Sequence, residues 1–105
     1  MSEPTIYHDH QGRTIRLTDE RWRHILDHPE MRAQRSRLVE TLSAPDAVVA
    51  TVADETVLAY HRPYERTPVT RKYLVVIVKL REDDAFMTTA FFASRAKRGH
   101  TVWRR

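Results

Sequence analysis

The stretches KYLVVIVKL (residues 72–80) and FMTTAFFA (residues 86–93) predict the central strands of a β-sheet. Both are rich in the β-branched and aromatic residues that favour strands, and both are apolar at odd and at even positions. A strand of that kind has both faces covered, as in the centre of a sheet. The polar residues REDD at positions 81–84 separate the two stretches, and so short a connection joins antiparallel neighbours.

Two further strands are predicted upstream, at DAVVATV (residues 46–52) and TVLAYHR (residues 56–62), joined by the short segment ADE. Together with the central pair they form a four-stranded antiparallel meander. A longer connection with two prolines, PYERTPVTR (residues 63–71), leads from the second of these strands to the third. Loops of this length often carry functional residues.

Two helices are predicted before these strands. Thr18 is followed by two acidic residues, the pattern of a helix N-cap with acids in the first turn, and Pro29 ends or bends that helix. The segment MRAQRSRLVETL (residues 31–42) has an apolar side, which predicts a second, amphipathic helix that Pro45 terminates.

A short N-terminal hairpin is also predicted, because Thr5–Tyr7 and Thr14–Leu17 flank a polar stretch in which Gly12 can adopt a positive φ. The expected fold class is therefore α+β: two N-terminal helices packed on a four-stranded antiparallel sheet, with this hairpin in addition. No linker-like stretch interrupts the 105 residues, so we expect residues 1–105 to form a single domain.

The amino-acid composition limits the kinds of active site and partner that the chain can have. The chain has no cysteine, which excludes disulfides, a thiol nucleophile and thiolate metal sites. Its 18 Lys and Arg residues against 14 acidic ones give a formal net charge of +4, a mild preference for a polyanionic partner that solubility alone also explains. No apolar run approaches the ~20 residues of a membrane span and no signal-peptide pattern is present, so we expect a cytoplasmic protein without a membrane partner.

Two histidines are the first candidates for chemistry. His24 and His28 lie one helical turn apart on a polar face, a spacing that can bind a metal, but the glutamate of an HExxH motif is missing between them. Imidazole also titrates near neutral pH, so the pair suits acid–base catalysis. The alternative is that both are ordinary solvated side chains at the surface of the helix.

A basic and aromatic set follows the second and third strands. Arginine matches phosphate oxygens and tyrosine stacks on bases, which is the combination that single-stranded RNA recognition needs. Basic residues at strand ends also protect sheet edges from aggregation, which is the competing explanation. The set comprises Tyr60, Arg62, Tyr64, Arg66, Arg71, Lys72 and Lys79. Of these, Tyr60, Tyr64, Arg66 and Arg71 are the candidate substrate-binding residues.

Two more features allow a polar role. The C-terminal segment SRAKRGHTVWRR (residues 94–105), which includes Lys97, is predicted either to grip a phosphate backbone or to be a solubilising tail anchored by its tryptophan. Thr88 and Thr89 place two hydroxyls inside an apolar strand, where each costs free energy unless it finds a hydrogen-bond partner. One of them is therefore expected to face a polar site, unless both reflect only the strand propensity of threonine.

Four segments carry a resemblance to a known family: RWRHILDHPEM (residues 21–31), VETLSAPDAVV (39–49), KYLVVIVK (72–79) and FMTTAFFASRAKRGHTVW (86–103). Together they resemble the phage and bacterial nucleases grouped with barnase, EndoU, colicin-type tRNases and RelE, the BECR fold, over roughly Ile15 to Trp103. In that group N-terminal helices pack on a four-stranded antiparallel sheet. The layout is also similar to BrnT-type toxins, with Thr89-Ala90 as the late Ser/Thr-Ala strand.

The resemblance implies RNA cleavage in a toxin-like or phage-conflict setting, with a cognate antitoxin as partner and no cofactor. By position, His24 and His28 match helix histidines of this pattern, Lys72 a strand-start lysine and Thr89 a late hydroxyl. The predicted function is a metal-independent endoribonuclease in which the RNA 2′-hydroxyl attacks the adjacent phosphate and one of the two histidines removes its proton.

The other members of the set have supporting roles in this hypothesis. Arg62 or Lys72 stabilises the charge that builds on the phosphate oxygens, and Tyr60 and Thr89 orient the phosphate. The alternative is a non-catalytic RNA- or protein-binding module on the same fold. The two differ in turnover, because a binder retards RNA in a gel without shortening it.

Overall fold

The computed structural model describes residues 3–105, and over that range the chain forms seven strands, two α-helices and one 3₁₀-helix. The strands are β1 (Thr5–His8), β2 (Thr14–Leu17), β3 (Ala47–Thr51), β4 (Val57–Tyr64), β5 (Lys72–Arg81), β6 (Asp84–Ala93) and β7 (Gly99–Arg104). The helices are α1 (Asp19–Ile25), the 3₁₀-helix Pro29–Met31 and α2 (Arg35–Ser43). Neither α-helix within this range is long and apolar enough to cross a membrane.

All seven strands of the described chain belong to one mixed sheet, in the order β1-β2-β6-β5-β4-β3-β7. The meander β3 to β6 is antiparallel as predicted, and β5 is the central strand. The prediction of a four-stranded antiparallel sheet with two N-terminal helices is wrong, because the sheet continues at both edges. On one side β2 pairs in parallel with β6 through Arg16 and Phe86, and on the other β7 pairs with β3.

The predicted N-terminal hairpin is confirmed, and its two strands form one edge of the sheet. β1 and β2 pair from Thr5 opposite Leu17 to His8 opposite Thr14. Gly12, in the connecting loop, has a φ of +83°. A bidentate pair between the Arg16 guanidinium and Asp84, with its shortest contact at 2.9 Å, links the hairpin to the first residue of β6.

Both helices cover the same face of the sheet. Their buried side chains, Ile25 on α1 and Leu38 and Leu42 on α2, pack in one cluster with Leu74 and Val76 of β5. The alternate residues of β5 and its neighbours form a second cluster on the opposite face, and no helix residue belongs to it within residues 3–105. We call these the helix-bearing face and the helix-free face.

The second helix is shorter than the sequence predicts. The predicted helix over residues 31–42 is interrupted at Ala33, whose φ of +62° lies in the left-handed region, so α2 begins only at Arg35. The predicted start of α1 and the predicted end of α2 are confirmed. The Thr18 hydroxyl accepts the backbone N–H of Arg21 as an N-cap, and α2 ends at Ser43, two residues before Pro45.

The C-terminal segment is not a tail. Residues 99–104 form β7, the edge strand beside β3, paired from Gly99 opposite Thr51 to Arg104 opposite Ala47 with a register shift at Val102. A Cβ at Gly99 would lie 2.0 Å from the carbonyl oxygen of Ala50, so only glycine allows this approach. The strand brings Trp103 onto the helix-bearing face opposite Val48.

Candidate functional site

A cavity of about 280 Å³ opens on the part of the helix-bearing face that the helices leave uncovered. Its floor is apolar and comes from the central strands, and the loop of the N-terminal hairpin forms one wall. β7 forms a second wall, which meets the first where Trp103 packs on His10, and Glu55, from the β3–β4 connection, lies at the rim. The floor residues are Val48, Ala50, Leu58 and Leu80, and the walls include His10, Arg13, Tyr60 and Trp103.

The hairpin wall is anchored by a buried carboxylate. Asp9 accepts hydrogen bonds from the Tyr60 hydroxyl at 2.6 Å and from the backbone N–H groups of Arg13 at 2.8 Å and Gln11 at 2.9 Å. Burial alone would raise the pKa of Asp9, but these hydrogen bonds and the Arg13 charge outweigh it, so the pKa lies below its ordinary value. Asp9 is therefore a permanent anion inside the fold at neutral pH.

This anion fixes two side chains of the cavity. The Arg13 guanidinium lies 3.7 Å from the Asp9 carboxylate and 3.3 Å from the Tyr60 hydroxyl, which accepts its N–H. Burial, and next the hydrogen bond to Asp9, raise the pKa of Tyr60 well above its ordinary value, so the phenol stays protonated. Arg13 keeps 39% of its side chain exposed and lines the cavity.

His10 packs against the cavity wall rather than into open solvent. Its ring centroid lies 4.3 Å from that of Trp103 and 6.1 Å from that of Tyr60. Both ring nitrogens are shielded from solvent and have no hydrogen-bond partner in the part of the chain described. Burial lowers the pKa of His10, with the Asp9 carboxylate acting in the opposite direction, so the imidazole is neutral at physiological pH.

This arrangement suits a nucleotide. A fixed, partly exposed guanidinium binds phosphate oxygens, and an indole beside an apolar floor offers a surface on which a base stacks. The neutral imidazole and the rim carboxylate of Glu55 are groups that can accept a proton. Among residues 3–105, no three acidic or histidine side chains form a group able to hold a metal ion.

Of the residues predicted from sequence, Tyr60 is one that lines this cavity. The histidine pair lies elsewhere: His24 is on α1 with 55% of its side chain exposed, and His28 follows that helix with 47% exposed. Each makes a long contact with a nearby acid, His24 with Asp27 and His28 with Glu30, both at 3.9 Å.

Arg62 and Tyr64 lie together near α2. Glu40 accepts a hydrogen bond from the Tyr64 hydroxyl at 2.5 Å and lies 3.3 Å from the Arg62 guanidinium, which also donates to the carbonyl of Ala44. Burial and the Glu40 hydrogen bond raise the pKa of Tyr64 to about 12. Both predicted residues thus have partners that attach β4 to α2.

The remaining predicted residues are spread over the β4–β5 loop and the strand ends. Arg66 lines a separate surface cavity near the start of α2, and Arg71 forms a 3.8 Å contact with Glu65 in which both side chains are exposed. Lys72 donates to the hydroxyl of Ser94 at 2.6 Å.

Thr89 and Lys97 lie on the other side of the sheet from the cavity. Thr89 pairs with Ile77, a residue of the helix-free face, and Thr88 directs its hydroxyl to the carbonyl of Ile77 at 3.3 Å. The backbone N–H of Lys97 donates to Nε2 of His61 at 2.8 Å. The predicted set therefore does not converge on one place.

Sequence reasoning missed most of the residues that line the cavity. The signal that could have found them is the hairpin loop HDHQGR (residues 8–13), which concentrates histidine, aspartate and arginine around a glycine. Trp103 and Glu55 carry no such local signal, because they reach the cavity only through the pairing of β7 with β3 and the turn after β3.

Comparison with known proteins places the chain in a family. A family model described as phage-Barnase-EndoU-ColicinE5/D-RelE like nuclease2 matches residues 1–104. Comparisons with the curated proteins and with the solved structures found no match. The match to the family model extends over nearly the whole chain, including the hairpin and β7. The chain therefore belongs to the family of phage nucleases that are like barnase, EndoU, colicin E5/D and RelE.

Proposed function

We propose that the protein is a metal-independent endoribonuclease that cleaves RNA at the cavity between the hairpin loop and β7. The observation that carries the proposal is the convergence there of Arg13, Trp103 and the proton acceptors His10 and Glu55 around an apolar floor. In this reaction the ribose 2′-hydroxyl gives its proton to a base and attacks the adjacent phosphorus, and the 5′-oxygen of the next nucleotide leaves as it takes up a proton from a general acid. The first products are a 2′,3′-cyclic phosphate and a 5′-hydroxyl end.

Arg13 is the group proposed to bind the phosphate. Its guanidinium is fixed by the ion pair with Asp9 and the hydrogen bond to the Tyr60 hydroxyl. It therefore needs little reorganisation when charge builds on the phosphate oxygens. Preorganised stabilisation of this kind is often the largest single contribution to catalysis, and removing one donor costs roughly a hundred- to a thousandfold in rate.

Two cavity groups are proposed for proton transfer. His10 is neutral and so in the form that accepts a proton. Both of its nitrogens are shielded from solvent, so this role requires the residues around the ring to move when substrate binds. Glu55 is exposed at the rim and needs no such movement. General acid–base help by such a group is worth roughly a hundred- to ten-thousandfold.

The resemblance supplies a second proposed set, in which His24 or His28 transfers the proton, Arg62 or Lys72 stabilises the phosphate charge, and Thr89 orients the phosphate. The separation of these residues in the structure favours the cavity set. A toxin-like role in phage conflict, with an antitoxin as partner, is proposed on the family resemblance alone.

The test is incubation of purified protein with total RNA and with a DNA control in EDTA, followed by analysis of the ends. We expect cleavage of RNA only, with 2′,3′-cyclic phosphate ends, because the nucleophile belongs to the ribose. Arg13→Ala should lower the rate at least a hundredfold, whereas Arg23→Ala, which removes an exposed cation from α1, should not.

Single variants then separate the two sets: His10→Ala and Glu55→Gln for the cavity, His24→Ala and His28→Ala for the helix. Cleavage of DNA, or loss of activity in EDTA, would contradict the 2′-hydroxyl mechanism. RNA that is retarded in a gel by the folded protein without being shortened would instead establish the binding module.

A further inference from the structure

The connection between β6 and β7, residues 94–98, crosses the helix-free face of the sheet, and we call it the strap. β6 and β7 are not neighbours, since β5, β4 and β3 lie between them. The backbone N–H of Lys97 donates to Nε2 of His61, a side chain of β4 on the helix-free face, which places the middle of the strap over that face. A connection of five residues over three strands leaves little slack. All five of its residues are exposed.

The strap carries three cations without acidic partners. Arg95, Lys97 and Arg98 are all exposed, and no carboxylate of residues 3–105 pairs with any of them. Arg104 on β7 adds a fourth cation, because it pairs with Ala47, which in turn pairs with His61 on the same face. The carboxylate of Asp46 acts on His61 from nearby and is outnumbered by these charges.

Aromatic side chains lie on the same face as these cations. Tyr73 and Phe91 are partly exposed members of the helix-free cluster, and Tyr73 meets the ring of His61 edge-on with centroids 6.4 Å apart. Cations along a line with aromatic rings beside them are the combination by which proteins bind single-stranded nucleic acid, phosphates on the cations and bases on the rings.

We propose that the strap and the helix-free face beneath it form a second RNA-binding surface, which holds the backbone of a single strand whose scissile nucleotide occupies the cavity. β7 connects the two surfaces, since Trp103 lines the cavity and the neighbouring Arg104 faces the strap side. The substrate is therefore an RNA with an unpaired stretch that passes over this edge strand. The inference rests on the proposed function only for the identity of the polymer.

The experiment measures binding without cleavage. A fluorescent, single-stranded 2′-O-methyl RNA oligonucleotide has no free 2′-hydroxyl, and its Kd is measured between about 50 and 200 mM salt. The test protein is the triple variant Arg95→Ala, Lys97→Ala and Arg98→Ala. Each phosphate contact to a single strand contributes about 0.7 to the slope of log Kd against log salt, so the triple variant should lower that slope by about 2 and weaken binding at least tenfold at low salt.

The matched control removes the same charge from the other side of the molecule, by Arg21→Ala, Arg23→Ala and Arg32→Ala. These side chains are also exposed and have no ion-pair partner within residues 3–105. The control should bind nearly as the unchanged protein does. Equal losses in the two variants would mean that binding follows net charge alone, and an unchanged slope in the strap variant would mean that the strap makes no phosphate contact; either result overturns the inference.

The proposal of an RNA-binding surface at the strap and the proposal of ribonuclease activity can be contradicted independently. A protein that binds the oligonucleotide through the strap but leaves unmodified RNA intact keeps this surface and loses the ribonuclease proposal. A protein that cleaves RNA while the strap variant keeps the full salt slope keeps the ribonuclease proposal and loses this surface. Circular dichroism of both triple variants confirms that the comparison is made between folded proteins.

Discussion

Asp9→Asn is the perturbation that tests the anchoring of the cavity most directly. The change keeps the size of the side chain but replaces Oδ2, the acceptor of the Tyr60 hydroxyl at 2.6 Å, by an amide that can only donate. It also removes the negative charge 3.7 Å from the Arg13 guanidinium. The backbone hydrogen bonds from Gln11 and Arg13 go to Oδ1, and an amide oxygen there can still accept them.

The cost follows from these contacts. A hydrogen bond to a charged group contributes roughly 1.5–3 kcal/mol, and a buried hydroxyl left without an acceptor adds to the penalty. We expect Asp9→Asn to lower the free energy of unfolding by about 2–3 kcal/mol, which for a domain of this size is a fall in Tm of roughly 10 °C. Urea denaturation followed by tryptophan fluorescence measures the change.

A double-mutant cycle with Tyr60→Phe isolates the pair. If the carboxylate and the hydroxyl act as one unit, the double variant should be only slightly less stable than Asp9→Asn, with a coupling of about 1–3 kcal/mol. Strictly additive losses, or a loss below about 0.5 kcal/mol for Asp9→Asn alone, would refute the anchoring argument.

The pH dependence gives a second criterion for the same variant. The folded pKa of Asp9 lies below the unfolded value of about 3.9, so its contribution is fully present above that pH and is lost as the pH falls through the folded pKa. The stability difference between the parent and Asp9→Asn should therefore be constant from about pH 7 to pH 5 and shrink below about pH 4. A difference that already shrinks near pH 6 would point to a histidine instead.

Two further predictions concern the glycines and the buried histidines. Gly99→Ala should lower the free energy of unfolding by about 2–4 kcal/mol, because its Cβ would lie 2.0 Å from the Ala50 carbonyl oxygen. Gly12→Ala should lower it by only about 1 kcal/mol, because Gly12 has a φ of +83° but lies in open space. Thermal denaturation measures both losses, and equal losses would contradict this prediction. Burial lowers the folded pKa of His10 and His61 below the unfolded value of about 6.5, so acid favours the unfolded chain, and stability should fall by up to about 1.4 kcal/mol per pH unit for each histidine as the pH drops below 6.5. Replacing either by Gln should flatten the stability profile between pH 7 and 5, and a parent profile that is already flat there would show that neither pKa is lowered.

The elements that the sequence predicted correctly are those whose formation depends on neighbouring residues. The four central strands follow from β-branched runs, the start of α1 from the Thr18 cap, and the hairpin from a positive-φ glycine between two short apolar segments. The late start of α2 was not predictable in this way, because nothing in the residues around Ala33 marks its left-handed conformation.

The edges of the sheet depend on contacts distant in sequence. β7 contains three polar residues among six and pairs with β3, some fifty residues upstream, so its composition suggested a tail rather than a strand. The parallel contact of β2 with β6 joins Arg16 to Phe86 and has no local signature either. The candidate cavity lies between β7 and the N-terminal hairpin. The sequence did not predict it because contacts distant in sequence position both elements.

Contacts between residues distant in sequence also hold the cavity together. The hairpin meets the rest of the sheet through a single parallel pair, so side-chain and loop contacts must fix its position. Arg35, the first residue of α2, donates to the Tyr7 hydroxyl at 2.9 Å and to the Thr5 hydroxyl at 2.8 Å, and the backbone N–H of His10 donates to the carbonyl of Leu42 at 2.9 Å. The loop that carries Arg13 is thus fastened to α2 on one side and, through Asp9, to β4 on the other. Because these contacts exist only after α2 has packed on the sheet, the position of Arg13 is a product of the complete fold rather than of the hairpin itself.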